Sequence, residues 1–151
     1  MPSSSSVQST YLVMPTDANI HQTAFGGRIM EWMDLISGIC ATRYCRLPTV
    51  TVAVDELVFK RPIRVGDTVI VKASVNYAGK TSMEVGVRVE REDAITFTIE
   101  HCLSGYFTFV AIDRNGKPVP VPPVEPETDD EKRRYGQAKI RRANRLDKRT
   151  E

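Results

Sequence analysis

The chain has 151 residues, 41% hydrophobic and 26% charged, the proportions of one ordinary globular domain. Its 21 Lys+Arg against 19 Asp+Glu give a formal charge of +2, too balanced for a nucleic-acid binder, and the small excess falls entirely in residues 125–151. Three cysteines without a CxxC pair, no apolar run near the roughly 20 residues that span a bilayer, and a serine-rich start unlike a signal peptide point to a reduced, cytoplasmic protein with no integral membrane association.

Residues 1–8 are small and polar and are expected to be disordered. Tyr11-Leu12-Val13-Met14, closed by Pro15, reads as a short first strand. A loop from Thr16 then runs through Gly26-Gly27 into a helix predicted from Arg28 to about Tyr44. There Ile29, Trp32 or Met33, Ile36, Ile39 or Cys40, and Tyr44 recur at three- and four-residue steps. After Pro48 the period becomes two. Val50 to Phe59 alternates, as do Val69, Val71, Ala73, Val75 and Tyr77, and then Met83, Val85, Val87 and Val89.

The last alternating run, Ile95 to Phe109, exceeds the usual strand length, so a bend or bulge is expected near Ser104-Gly105. Turns of this length join antiparallel neighbours. The predicted class is α+β: one long central helix against a five-stranded antiparallel sheet. A sheet with one helix has open edges, and a dimer that pairs edge strands would close them.

This core is placed at residues 9–116, with 117–151 as a separate Pro-rich segment and charged helix. Thr128 followed by Glu131 is a capping box, with acids ahead of bases along the helix. The helix is expected to be solvated and loosely packed, if packed at all. The alternative is that Arg141, Arg142 and Arg145 contact RNA or an acidic surface.

The chemistry concentrates between Asn19 and Ala41. Asp34 stands mid-helix among Trp32, Met33, Leu35 and Ile36, on one face with Gly27, Met30, Gly38 and Ala41. The small residues beyond it would let a ligand or another backbone approach the carboxylate. Spacing alone also fits a surface acid on an amphipathic helix. Backbone amides at Gly26-Gly27 could hold a developing oxyanion, though glycine pairs often only permit a turn. Asn19 adds a donor in the loop before them.

Asp17-Ala18-Asn19, Phe25-Gly26-Gly27 and Met30-Glu31-Trp32-Met33-Asp34 together resemble the helix entry of hot-dog-fold acyl-CoA thioesterases. More narrowly they resemble the group of bacterial broad-specificity acyl-CoA thioesterases and the cytosolic long-chain acyl-CoA hydrolase. Val50-Thr51-Val52-Ala53-Val54-Asp55, Phe59-Lys60-Arg61-Pro62, Val65-Gly66-Asp67 and Gly79-Lys80-Thr81-Ser82 follow in the same order, so the resemblance covers about residues 8–112.

It implies a hot-dog fold, a sheet wrapped on a central helix and paired edge to edge in a homodimer, with dimers assembling into a hexamer. It implies hydrolysis of acyl-CoA, with Asp34 activating or attacking at the thioester and Asn19 contributed across the dimer interface. Gly26, Gly27 and Gln22 would lie at the oxyanion or substrate. Lys80, Thr81 and Ser82, with Lys60 and Arg61, would meet the coenzyme A moiety. Gln22 departs from the family, which commonly has glycine there.

A thioester is already activated, so no metal or other cofactor is expected beyond the coenzyme A of the substrate. His21 and His101 lack partners at metal-ligand spacing, and His101 reads as a hydrogen-bonded structural histidine. A non-catalytic acyl-CoA binding or sensing protein is the alternative with the same fold. A hot-dog hydratase ranks last, for want of a paired His and acid near Asp34.

Overall fold

The computed structural model describes residues 6–149, so the first five residues of the stretch expected to be disordered lie outside the described residues. In chain order come β1 (Ser6–Leu12), a 3-10 turn (Pro15–Asp17), α1 (Gly26–Cys45), β2 (Thr49–Phe59), β3 (Thr68–Ala78), β4 (Ser82–Glu92), β5 (Ile99–Ala111) and α2 (Asp129–Arg149). The strands form one antiparallel sheet in the order β1-β3-β4-β5-β2, with β1 and β2 at its edges.

β1 begins earlier than expected and includes Ser6, Val7 and Gln8. Pairing with β3 orders them, and Val7 and Tyr11 pack against the core while their polar neighbours face out.

α1 starts where the Phe25 carbonyl accepts from the Arg28 and Ile29 amides, and ends where Arg46 turns left-handed (φ 61°). Its buried stripe is Ile29, Trp32, Met33, Ile36, Cys40 and Ala41, which lies across all five strands. Burial of each large apolar side chain there contributes about 1.5–3 kcal/mol. Trp32 stacks on Tyr11 of β1, with ring centroids 4.6 Å apart. Burial pushes the Cys40 thiol up to about 12, so this cysteine behaves as a small apolar residue.

Bulges correct the plain alternation in several places. An extra residue at Asn76 in β3 sends Tyr77 to the outer face, where it meets Tyr135 of α2 edge-on at 5.1 Å. In β5 the irregularity opposite β4 falls at Cys102, not at Ser104-Gly105. Opposite Gly105 the extra residues belong to β2, where Glu56 takes φ 55°. A Cβ on Gly105 would sit 2.8 Å from Leu57, so a side-chain crossing explains this glycine. Ile95 and Phe97 are outside the strand. The Asp93 carboxylate accepts from the Ile95 and Thr96 amides and holds a turn instead.

The tail packs against the sheet. Val119 and Val121 donate to the carbonyls of Ala111 and Lys80, and the Tyr44 hydroxyl donates to the Pro122 carbonyl. The Thr128–Glu131 capping box forms at 3.0 and 3.3 Å. α2 then covers the sheet face opposite α1, with Ala138 fully buried. Arg141 chelates the buried Glu84 at 2.7 Å and lies 3.5 Å from the Tyr106 ring centroid, while Arg145 bonds Asp55 of β2 at 2.8 Å. The expectation of a loosely packed helix fails because its arginines neutralise carboxylates on that face. Two of the three arginines considered for RNA, Arg141 and Arg145, are thereby committed within the chain.

Candidate active site

Asp34 lies on the side of α1 that faces the outer edge strand. The hydroxyl of Thr51 donates to its Oδ1 at 2.6 Å. A strictly alternating strand would carry Thr51 on one face with Ala53 and Asp55. The bulge at Val52 turns Asp55 toward α2 and leaves Thr51 facing α1. Thr51 was missed as a site residue, and only an irregularity in the valine-rich alternation could have signalled it.

Around the pair is a cleft of about 550 Å³, lined also by Leu35, Gly38, Ile39, Thr42 and Phe109. A Cβ on Gly38 would make only ordinary contact with the Phe109 ring at 3.6 Å, so packing within the chain does not require glycine there. Trp32 and Met33, the apolar neighbours of Asp34 in sequence, are buried against the sheet.

The helix entry is a separate place. Gly26 borders a second cleft, of about 390 Å³, with Phe59, Lys60 and Arg61. As the first two helical residues, Gly26 and Gly27 have amides without acceptors in their own helix. A Cβ on Gly27 would meet nothing within 4 Å. Asn19 accepts from the His21 and Thr23 amides (2.8 and 3.3 Å) and donates one Nδ2 proton to the Thr23 hydroxyl at 2.9 Å. Its second Nδ2 proton has no acceptor among the described residues.

Gln22 adopts φ 62°, the left-handed conformation that glycine occupies without strain. Its amide donates to the Asn19 carbonyl at 3.1 Å and its carbonyl accepts from Val65 at 3.2 Å, so the loop keeps its turn.

Asp34 is eight residues along α1 from Gly26, roughly 12 Å at the helical rise. The sequence-predicted residues therefore form two groups. Asn19, Gln22, Gly26, Gly27, Lys60 and Arg61 gather at the helix entry. Lys80, Thr81 and Ser82 occupy the β3–β4 turn at the other end of the sheet, the end of Thr49 and Thr51, because Ser82 pairs with Val110 and Val110 with Val50. Arg61 lies within 3.9 Å of Glu100.

His101 is on the outer face, its Nε2 2.7 Å from the Ser104 hydroxyl, and lines neither cleft. Among the described residues no three His, Cys, Asp or Glu side chains are grouped to hold a metal, and no helix is long and apolar enough to cross a membrane.

Residues 21–97 match the family described as the thioesterase superfamily. The chain is 48% identical over 126 residues to Protein VdlD of Helicobacter pylori, covering 83% of this chain and 72% of that one. It is 44% identical over 140 residues to an uncharacterized acyl-CoA thioester hydrolase, YkhA, of Bacillus subtilis, covering 93% and 81%.

A hexameric acyl-CoA thioesterase solved without ligand superposes with a TM-score of 0.93 at 37% identity, over 97% of this chain and 94% of that one. An acyl-CoA hydrolase of Staphylococcus aureus, solved with butyryl coenzyme A and coenzyme A, superposes at 0.88 and 37%, over 99% and 93%. That enzyme has also been solved with an asparagine, an aspartate and a threonine each changed to alanine. The intervals between them, fifteen residues and then seventeen, are those separating Asn19, Asp34 and Thr51.

Proposed function

We propose, for a chain that belongs to the thioesterase superfamily and hydrolyses acyl-CoA thioesters, that Asp34 is the general base and that each active site is shared between two subunits. The observation that carries this reading is the Thr51 hydroxyl on Asp34 Oδ1, which fixes the carboxylate and leaves Oδ2 to act. Oδ2 takes a proton from water as the water oxygen bonds to the thioester carbonyl carbon. The tetrahedral oxyanion then collapses, the C–S bond breaks, and Oδ2 returns its proton to the departing coenzyme A sulfur, giving the free acid and restoring the carboxylate. The thioester is activated enough that the reaction asks for no metal ion or organic cofactor.

An oxyanion needs donors about 3 Å away. The amides of Gly26 and Gly27 lie two turns of α1, roughly 10–12 Å, from Asp34 of their own chain, too far to serve a carbonyl that a water on that carboxylate attacks. A second subunit supplies them. β2 is an edge strand whose Val50, Val52, Val54, Val58 and Phe59 are all exposed. Antiparallel pairing of two β2 strands about a two-fold axis puts the Phe59 end of one against the Thr49 end of the other. That places one copy's helix entry, with Gly26, Gly27 and Asn19, beside the partner copy's Asp34 cleft. Lys60 and Arg61 reach coenzyme A phosphates from the first copy, and Lys80, Thr81 and Ser82 from the second.

Three such dimers build a hexamer, as the hexameric structural relative suggests. The buried cysteine thiols agree with a reducing, cytoplasmic setting.

Thiol release from a panel of acyl-CoAs, short to long, tests the reading. The expected result is release by the native protein and loss of about a thousandfold or more in Asp34→Asn, which still folds. Undiminished turnover in Asp34→Asn would remove Asp34 from the mechanism.

A further inference from the structure

Past β5 the chain runs through Pro118-Val119-Pro120-Val121-Pro122-Pro123-Val124, a segment that its prolines hold stiff and extended. Val119, Val121 and Val124 pack against the core, while the prolines between them are exposed. Proline has no N–H, so the segment has few donors, and two of them go to the sheet. Val119 donates to the Ala111 carbonyl and Val121 to the Lys80 carbonyl, each at 2.9 Å. On the next residue, the Pro122 carbonyl accepts from the Tyr44 hydroxyl at 2.8 Å. Burial pushes the Tyr44 hydroxyl up to about 12, so it keeps the proton it donates.

Tyr44 stands in the last turn of α1, the helix that carries Asp34, and Lys80 stands in the turn between β3 and β4. The segment is thus a strap from one to the other, its two bonds on adjacent residues. The turn itself is closed by the Gly79 amide on the Ser82 carbonyl at 2.8 Å, and the Thr81 carbonyl is held by Ala111 at 3.1 Å. Lys80 is held by the strap.

From this we infer that the strap sets the position of the β3–β4 turn relative to Asp34, with Val121 and Tyr44 as positioning residues for the coenzyme A end of the substrate. The inference rests on the reading that Lys80, Thr81 and Ser82 meet coenzyme A. One substrate has to reach both places in one subunit, its thioester at Asp34 and its phosphates at the turn. A turn released from the strap would lose that fixed separation, and binding would then have to order it. None of the strap residues lines the Asp34 cleft, so the strap acts on binding and not on the chemical step.

The test compares KM and kcat for an acyl-CoA and for the same acyl group on pantetheine, which lacks the phosphates. Val121→Pro removes the donor to Lys80 within a segment already shaped for proline, and Tyr44→Phe removes the donor to Pro122. Each should raise the KM for acyl-CoA about three- to tenfold, with kcat within about twofold and kcat/KM on acyl-pantetheine unchanged. Val124→Ala thins the packing but keeps both hydrogen bonds, and it should leave the native values in place. Should Val121→Pro not melt cooperatively, Tyr44→Phe carries the test. An unchanged KM for acyl-CoA in the strap variants would overturn the inference. So would an equal loss on acyl-pantetheine or in Val124→Ala, either of which marks a general structural role. Lys80→Gln tells this failure from that of the underlying reading. A raised KM there beside native strap variants overturns the strap alone, and a native KM in Lys80→Gln overturns both.

Discussion

Thr51 donates to Asp34 across 2.6 Å, and a hydrogen bond to a charged group contributes about 1.5–3 kcal/mol. Thr51→Val keeps the shape of the side chain and removes the proton, so kcat should fall by roughly 10- to 150-fold with little change in KM. Thr51→Ser should recover most of the loss, and failure to do so would point to packing as the cause. Asp34 could be singled out in the sequence as an acid amid apolar helix residues, but spacing alone fits a surface acid as well, and it was the resemblance that gave it a role. Thr51 could not be singled out, since its orientation depends on a bulge one residue away.

Gln22 at φ 62° explains why glycine suits that position. Gln22→Gly should leave stability within about 1 kcal/mol, as relief of strain offsets added freedom in the unfolded chain, while Gln22→Val should cost about 1–2 kcal/mol. Equal melting of the two would mean that the left-handed turn is not kept. Acid should also weaken the fold. Burial and then the neighbouring Arg88 lower the His101 pKa, so the unfolded chain takes up more protons as pH falls below about 6.5 and stability declines. The hydrogen bond from Lys72 holds the Glu90 carboxyl below its usual range, and that contribution is lost at still lower pH. His101→Gln should flatten the first part of this dependence in a melting series.

At the level of elements, α1 and the strands followed from periodicity, while α2 was misplaced for an electrostatic reason. Its sequence is polar on nearly all sides, the pattern of a solvated helix. Its docking depends on carboxylates distant in sequence, chiefly Glu84, whose burial is offset above all by Arg141, with Asn76 donating at 3.2 Å and Arg145 lying at 3.9 Å. Alternation shows that Glu84 faces away from Met83 and Val85 but not that a helix covers it. Removing one partner of such a pair strands the other, so Arg141→Ala should cost about 3–5 kcal/mol. Arg133→Ala, at an exposed i,i+3 pair with Asp130, should change stability by less than about 0.5 kcal/mol. Denaturant midpoints for the two variants give the comparison, and similar midpoints would show that α2 contributes little.

At the scale of the whole molecule, one chain carries the proposed site residues in two groups, at opposite ends of an exposed edge strand. The candidate residues of both groups, Thr51 excepted, were named from the sequence, but their separation could not be, because it comes from the length of α1 and the antiparallel order of the strands. The most direct test of the shared site is to mix two inactive variants, Asp34→Ala and Asn19→Asp. The second retains the acceptor that ties Asn19 to His21 and Thr23 while removing its Nδ2 donors.

With random exchange at equal amounts, verified by mass spectrometry, half the dimers are mixed and one of their two sites is intact. Thiol release should therefore recover to about a quarter of the native value. Mixed dimers formed at full yield with no recovered turnover would contradict a site built from two subunits.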